Sequence, residues 1–204
     1  MSELLTDNGR FDRRKLVAYL LKRRGEALMV GGLGAPTWDL AAADGDDRAD
    51  GNDCNVYLWG GMGLACSIGL GLALAQPTRR VLVVTGDGEM MMGIGSLATA
   101  AAAAPGNLAI LVLDNQAFGE TGKQAGLTAG PTDIARMAEG AGIAAVMTLD
   151  APGDLPALET LLFDEPGPVL AVAPIALTND PLVLPTNNGA AMAARFRGAL
   201  GLRD

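Results

Sequence analysis

Residues 83–119 read VVTGDGEMMMGIGSLATAAAAAPGNLAILVLDNQAFG, and two groups in this stretch could do chemistry together. Asp87 sits between Gly86 and Gly88 at the end of one apolar run, and Asp114-Asn115 closes the next. A carboxylate and a side-chain amide are both oxygen ligands for a hard divalent cation such as Mg2+, which usually shares its coordination shell with phosphate. The backbone carbonyl of Ala117 is a third candidate ligand. Glycine on either side of Asp87 lets the chain turn sharply and brings backbone N–H groups close to phosphate oxygens. The expectation is a metal clamp of Asp87, Asn115 and Ala117 that holds a diphosphate. Gly86, Gly88, Glu89, Phe118 and Gly119 are expected around it.

Other glycine-loop chemistries fit poorly. A dinucleotide fingerprint needs a third glycine where Met91 stands, and it leaves Asp87 where the pyrophosphate should be cradled. A P-loop fails because Gly122-Lys123 is followed by Gln124 and preceded by Ala117 at the first glycine position. The chain has no histidine, which excludes a Ser-His-Asp triad, a histidine-ligated zinc and a histidine base. Cys54 and Cys66 form neither a CxxC pair nor a disulfide framework and read as buried or idle thiols.

The elements that must position these groups alternate between strand and helix. Helices are expected at about 11–25, 36–43, 62–75, 91–104, 133–141, 154–163 and 187–200. Strands are expected at about 27–31, in NVYLW, in RVLVVTG, in LAILVLDN, at 143–148 and at 168–173. The expected fold is α/β, a three-layer arrangement with a central, mostly parallel sheet and helices on both faces. Ligands of such sheets bind beyond the carboxyl ends of the strands. Gly31 to Gly34, Gly60-Gly61, Gly86 to Gly88 and Asp114-Asn115 all fall at such ends.

Two segments have the pattern of a known family. GDGEMMMGIGSLATAAAAAPGNLAILVLDN resembles the thiamine-diphosphate signature, in which Gly-Asp-Gly is followed at a distance by Asn-Asn. Asp114 replaces the first Asn of that pair, and Asn115 keeps the metal ligand. WGGMGLACSIGLGLALA resembles the segment that receives the middle of the cofactor. The resemblance implies that the Gly60 carbonyl accepts from the aminopyrimidine amine and that Met62 is the wedge bending the cofactor into a V. It implies the thiamine-diphosphate-binding fold, with thiamine diphosphate and Mg2+ as cofactors. It covers the diphosphate-binding domain only. The activating glutamate is therefore expected on a separate pyrimidine-binding subunit, in a hetero-oligomer such as α2β2 or larger. No catalytic residue is assigned to this chain itself.

Further matches, VGGLGAPTWDLAAA and FGETGKQAGLT, resemble the small beta subunit of sulfopyruvate decarboxylase and the matching half of phosphonopyruvate decarboxylase. The implied activity is non-oxidative decarboxylation of a small 2-oxo acid. Gly34, Thr121 and Lys123 are candidate substrate contacts. Glu120 would disfavour an anionic substrate and Lys123 would favour one. A carboligase of the acetolactate-synthase kind and a non-catalytic regulatory subunit are the alternatives.

The bulk numbers agree with an ordered, single-domain chain. It has 204 residues, 50% hydrophobic and 19% charged, with a net charge of −8 that argues against a nucleic-acid groove. Residues 1–204 read as one domain, with 178–204 a possible docking tail. RFDRRKLVAYLLKRR reads as an amphipathic surface helix, DGDDRADGND as a solvated acidic loop, and Trp38 and Trp59 as packing residues. Met90 to Met92 are expected to pack beneath the site. MSELLTDNGR lacks an apolar signal core and no run is long enough to span a membrane, so a cytoplasmic location without membrane contact is expected.

Overall fold

The computed structural model describes residues 2–43 and 54–202. The acidic loop at 44–53 lies outside the described residues.

Six strands form one sheet: β1 (Leu28–Gly31), β2 (Asn55–Tyr57), β3 (Val81–Gly86), β4 (Leu108–Asp114), β7 (Ala145–Thr148) and β8 (Val169–Pro174). Their order is β2-β1-β3-β4-β8-β7, and every neighbouring pair is parallel. The four strands β1, β3, β4 and β8 are buried almost throughout, which is why their sequences run as unbroken Val, Leu, Ile and Ala. A separate two-stranded hairpin, β5 (Ala117–Phe118) with β6 (Gln124–Ala125), projects beyond β4.

Helices cover both faces. On one side α1 (Arg13–Leu21), α2 (Ala35–Ala43) and α7 (Leu155–Phe163) pack on Met29, Leu82, Val84, Leu111 and Ala171. On the other, α3 (Ala65–Ala75), α4 (Asp87–Met92), α5 (Ser96–Ala103) and α6 (Ile134–Gly140) pack on Leu28, Val30, Val83, Ile110 and Val172. The two-residue alternation along each strand sends successive side chains to opposite faces. Close approach of α3 needs Gly69, because a Cβ there would overlap the Val83 side chain. The expected three-layer, parallel fold is therefore observed.

Several local expectations change. The stretch expected as one helix at 91–104 is two helices, and the first begins at Asp87 itself. The N-terminal helix stops at Leu21, with Gly25 at positive φ a few residues on. The helix expected from 62 starts at Ala65, because Gly61 and Gly63 both have positive φ. The basic face of α1 is not all surface. Arg13 is buried and pairs with Asp39 and Asp180, and Arg14 also reaches Asp39. Burial pushes the Asp39 carboxyl up in pKa, while the two guanidinium groups pull it down.

The tail is folded onto its own chain. After β8 it crosses the carboxyl ends of the strands and ends in α8 (Gly189–Ala199), which lies against the edge strand β2. Phe196 is buried, Met192 Sδ accepts from the Tyr57 N–H, and the Arg195 guanidinium lies 5.8 Å from the Tyr57 ring centroid. The helix thus covers an otherwise open sheet edge.

Candidate active site

The strand order reverses between β1 and β3, which opens a crevice where the loops after those strands diverge. A cleft of about 820 Å3 occupies this position. Gly86, Asp87, Gly88, Asn115, Ala117, Phe118, Gly119, Met62, Thr121 and Lys123 all border it. The parallel register that aligns Gly86 with Leu113 brings the end of β3 beside the end of β4, so Asp87 and Asn115 border one cavity.

The polar corner of the cleft is built at the ends of β3 and β4. Asp87 is 4% exposed. Its carboxyl is pushed up to about 6, first by burial and then by the nearby Asp114 charge, against the Thr128 hydroxyl and the Asp87 and Gly88 backbone amides. Thr128 Oγ1 lies 2.8 Å from Asp114 Oδ1 and 3.1 Å from Asp87 Oδ2. The Gln116 N–H donates to Asp114 Oδ1 at 3.0 Å, and the Ala117 N–H donates to Asn115 Oδ1 at 2.9 Å. The second lone pair of that Asn115 oxygen remains available to a ligand.

The hairpin orients the third donor. The Gly126 N–H donates to the Gln116 carbonyl at 2.8 Å. Ala117 and Ala125 therefore form the non-hydrogen-bonded pair of β5 and β6, and the Ala117 carbonyl turns away from β6. Carboxylate, amide oxygen and free backbone carbonyl make an all-oxygen donor set suited to a hard cation. Among the described residues no group of three or more His, Cys, Asp or Glu side chains gathers as a metal cage. Mg2+ needs no such cage, because it is bound through one or two carboxylates with phosphate and water completing the shell. The corner fits Mg2+ with a diphosphate.

Next to the polar corner, Met62 and Phe118 converge on Gly88. A Cβ at Gly88 would lie 3.0 Å from Phe118 Cε1 and 3.6 Å from Met62 Cε. Met62 is held there by a close backbone contact, since a Cβ at Gly93 would overlap the Gly63 carbonyl. Leu113, Ile175, Leu177 and Leu182 add apolar lining to the same cleft.

Two expected residues lie outside the lining and others border it in a different way. Gly60 is exposed and outside the cleft lining, with no atom near its missing side chain. Gly34 also lies off the lining, at φ +81°, with the Glu120 carboxylate placed where a Cβ would be. Glu89 borders the cleft, but its carboxylate faces the Thr85 hydroxyl at 2.8 Å, beneath Gly32. Burial raises its pKa, and Oε1 has no partner in good hydrogen-bond geometry. Of the three methionines, Met90 is buried as expected, whereas Met92 is 68% exposed at the cleft. Trp59 is also not a core residue: it is half-exposed and donates through Nε1 to the Thr186 carbonyl at 2.9 Å, tying down the tail. Sequence reasoning missed Thr128 and Arg13. Thr128 had a visible signal, since a hydroxyl follows the glycine that ends the hairpin, but its distance from Asp87 in sequence concealed it.

The comparisons with known proteins fall on this same region. Residues 48–173 match the family described as thiamine pyrophosphate enzyme, C-terminal TPP binding domain. This chain belongs to that family. The resemblance read from the two motifs is thereby borne out, with thiamine diphosphate as the family's cofactor. The sulfopyruvate decarboxylase subunit beta of Methanothermobacter thermautotrophicus is 40% identical over 150 residues, 74% of this chain and 74% of the relative. The phosphonopyruvate decarboxylase of Streptomyces viridochromogenes is 44% identical over 156 residues, 74% of this chain but only 37% of the relative. A putative thiamin diphosphate-dependent enzyme from Mycobacterium smegmatis superposes with a TM-score of 0.62 at 20% identity, covering 80% of this chain and 31% of its own. That likeness concerns the fold. This chain thus spans most of a beta subunit and about a third of the longer relatives.

Proposed function

We propose that this chain is the diphosphate-binding subunit of a split thiamine-diphosphate-dependent enzyme that decarboxylates a small 2-oxo acid of the sulfopyruvate or phosphonopyruvate kind. One observation supports the reading: Asp87, Asn115 and Ala117 border one cleft beyond the ends of β3 and β4, inside the segment that matches the family. Similarity to a beta subunit over most of its length supports the split arrangement.

Asp87, Asn115 and Ala117 would hold Mg2+, and the backbone about Gly86, Gly88 and Gly119 would receive the diphosphate. When bound, thiamine diphosphate supplies a nucleophilic carbon and an electron sink for the carboxylate that leaves as carbon dioxide. The rest is positioning by this chain. Met62 and Phe118 wedge the space above Gly88 and limit the shapes a bound molecule can take there. The buried Leu113 and Ile175 keep water from the inner wall. Lys123 makes no ion pair among the described residues and stands at the cleft, where it would meet the substrate's anionic group, beside Thr121. Glu120 precedes Thr121 on the same loop, and its carboxylate lies against Gly34.

A pyrimidine-binding subunit would complete the site, in a hetero-oligomer such as α2β2 or larger. The exposed Met62, Leu64 and Leu182 lie on the side it would cover, and Leu182 and Leu184 are the docking surface that remains on the 178–204 tail. Among the described residues no helix is long and apolar enough to cross a membrane, and a cytoplasmic site of action accords with that. A second reading is carboligation, favoured by 28% identity over 82% of this chain to the large subunit of acetolactate synthase isozyme 1 of Escherichia coli.

Calorimetric titration of thiamine diphosphate with Mg2+ into the wild-type chain and Asp87→Ala tests the cofactor site. Binding that survives unchanged in the variant would sink it. Product analysis after adding a pyrimidine-domain subunit and 2-oxo acids separates aldehyde release from carboligation.

A further inference from the structure

The turn after the hairpin, Leu127–Ala129, carries a hydroxyl to Asp87, at the edge of the cleft, and to Asp114 behind it. Thr128 is 7% exposed, and its Oγ1 stands between two buried carboxylates, 2.8 Å from Asp114 and 3.1 Å from Asp87. The turn is laid tightly against Asp87: a Cβ at Gly126 would lie 3.0 Å from Asp87 Oδ2.

A threonine hydroxyl has one proton to donate, and a carboxylate has none. An asparagine at position 114 would bring its own N–H groups to a neighbouring carboxylate. Asp114 cannot, so two like charges face each other and the donor between them must come from another element. Asp114 is also secured by the Gln116 N–H at 3.0 Å. Asp87 has the hydroxyl and the backbone amides of its own turn. Removing the hydroxyl leaves the two carboxylates apposed in a buried place, where repulsion is strong and Asp87 must rotate away.

We propose that Thr128 is a positioning residue of the cation site, whose hydroxyl fixes the Asp87 carboxylate toward the cleft and allows a carboxylate at Asp114 beside it. The inference rests on the reading of Asp87 as a cation ligand. Thr128 acts through Asp87 and does not itself reach the cation. It is a hydrogen-bonded support of a ligand, a class whose loss typically weakens metal affinity about 10- to 100-fold.

The test is Mn2+ titrated into the full chain in the presence of thiamine diphosphate, followed by the free-ion paramagnetic resonance signal. Thr128→Val should weaken Mn2+ binding by about 10- to 100-fold. Thr128→Ser, which keeps the hydroxyl, should bind within about threefold of wild type, a rescue that a purely steric role would not give. Adding Asp114→Asn to Thr128→Val should recover most of the loss. Metal-free circular dichroism checks that each variant is folded, and Thr128→Ala repeats the comparison if the valine variant does not fold. Wild-type affinity in the hydroxyl-free variant overturns the inference, as does a serine variant equally weak. Asp87→Ala separates the two levels: if it too binds as wild type, the cation site itself is misplaced, and the same follows if the wild-type chain binds no Mn2+.

Discussion

The two ends of the cleft are built from different materials. At the β3 and β4 end, Asp87, Asp114 and Thr128 are all below 10% exposed and joined by hydrogen bonds from backbone and side chain. Around the open rim beside it, Met62, Leu177 and Leu182 are 37%, 41% and 59% exposed. Buried charge is costly unless it is paired or coordinates a cation, so the first end has the character that the proposed cation site requires. Exposed clustered apolar side chains beside a cavity have the character of a surface that something else covers. Binding of the diphosphate and completion of the chemistry are thus separable, and each variant below should affect one more than the other.

The largest effect is expected at the buried end. Asp87→Ala and Asn115→Ala should each weaken Mg2+-dependent binding of thiamine diphosphate by about 100-fold or more, since a ligand is lost rather than a supporting group; isothermal calorimetry reads this directly. At the open end, Met62→Ala should cut turnover of the reconstituted complex by about 10- to 100-fold, on the scale of lost substrate positioning. Its cofactor affinity should fall much less. A variant that lost affinity and kept its turnover number would reverse the division.

The pH dependence belongs to the buried end alone. The Asp87 carboxyl is raised to about 6. A cation needs the ionised form, so Mg2+ affinity should be flat above that value and fall by up to about tenfold per pH unit below it. In the metal-free chain the sign is opposite. The folded state holds the Asp87 proton more tightly than the unfolded chain, so this group's contribution to stability is greatest in acid and is lost as pH rises through about 6. Calorimetry and thermal melts of wild type and Asp87→Asn across a pH range of about 4–7 would show both slopes vanish in the variant.

Smaller effects are expected at the rim. Lys123→Ala should raise KM severalfold for a dianionic 2-oxo acid and little for a monoanionic one, as a single half-exposed ion pair is worth about 1 kcal/mol. Phe196→Ala should cost roughly 2–3 kcal/mol in urea unfolding, a little less than a fully buried phenylalanine. No loss there would mean that α8 contributes nothing to this chain's own fold.

Much of this arrangement is legible in the sequence. Unbroken runs of Val, Leu and Ile announce buried parallel strands, and the glycine clusters at their ends mark the ligand edge, because both follow from local composition. Asp87, Asn115 and Met62 stand out by residue type and spacing within short segments. The boundaries are less accessible. Helix α4 starts at Asp87 because the strand turns directly into it, which the glycines around Asp87 disguise as a loop. The two-residue strands of the hairpin are too short to leave a periodic pattern.

What local sequence could not carry is direction and neighbourhood. Glu89 stands two residues from Asp87, yet the helical turn sends its carboxylate to Thr85 on the other side of the strand end. Gly60 and Gly34 fall at strand ends but outside the cleft lining, because backbone dihedrals place them and not their order in the chain. Thr128 meets Asp87 across 41 residues and Asp114 across 14, through a hairpin that folds back over β4. Composition and motif were enough to specify the layers and the family. Which carboxylates stand against one hydroxyl, and which side of the cleft is left uncovered, depended on how distant segments pack, since those contacts exist only once the sheet has brought them together.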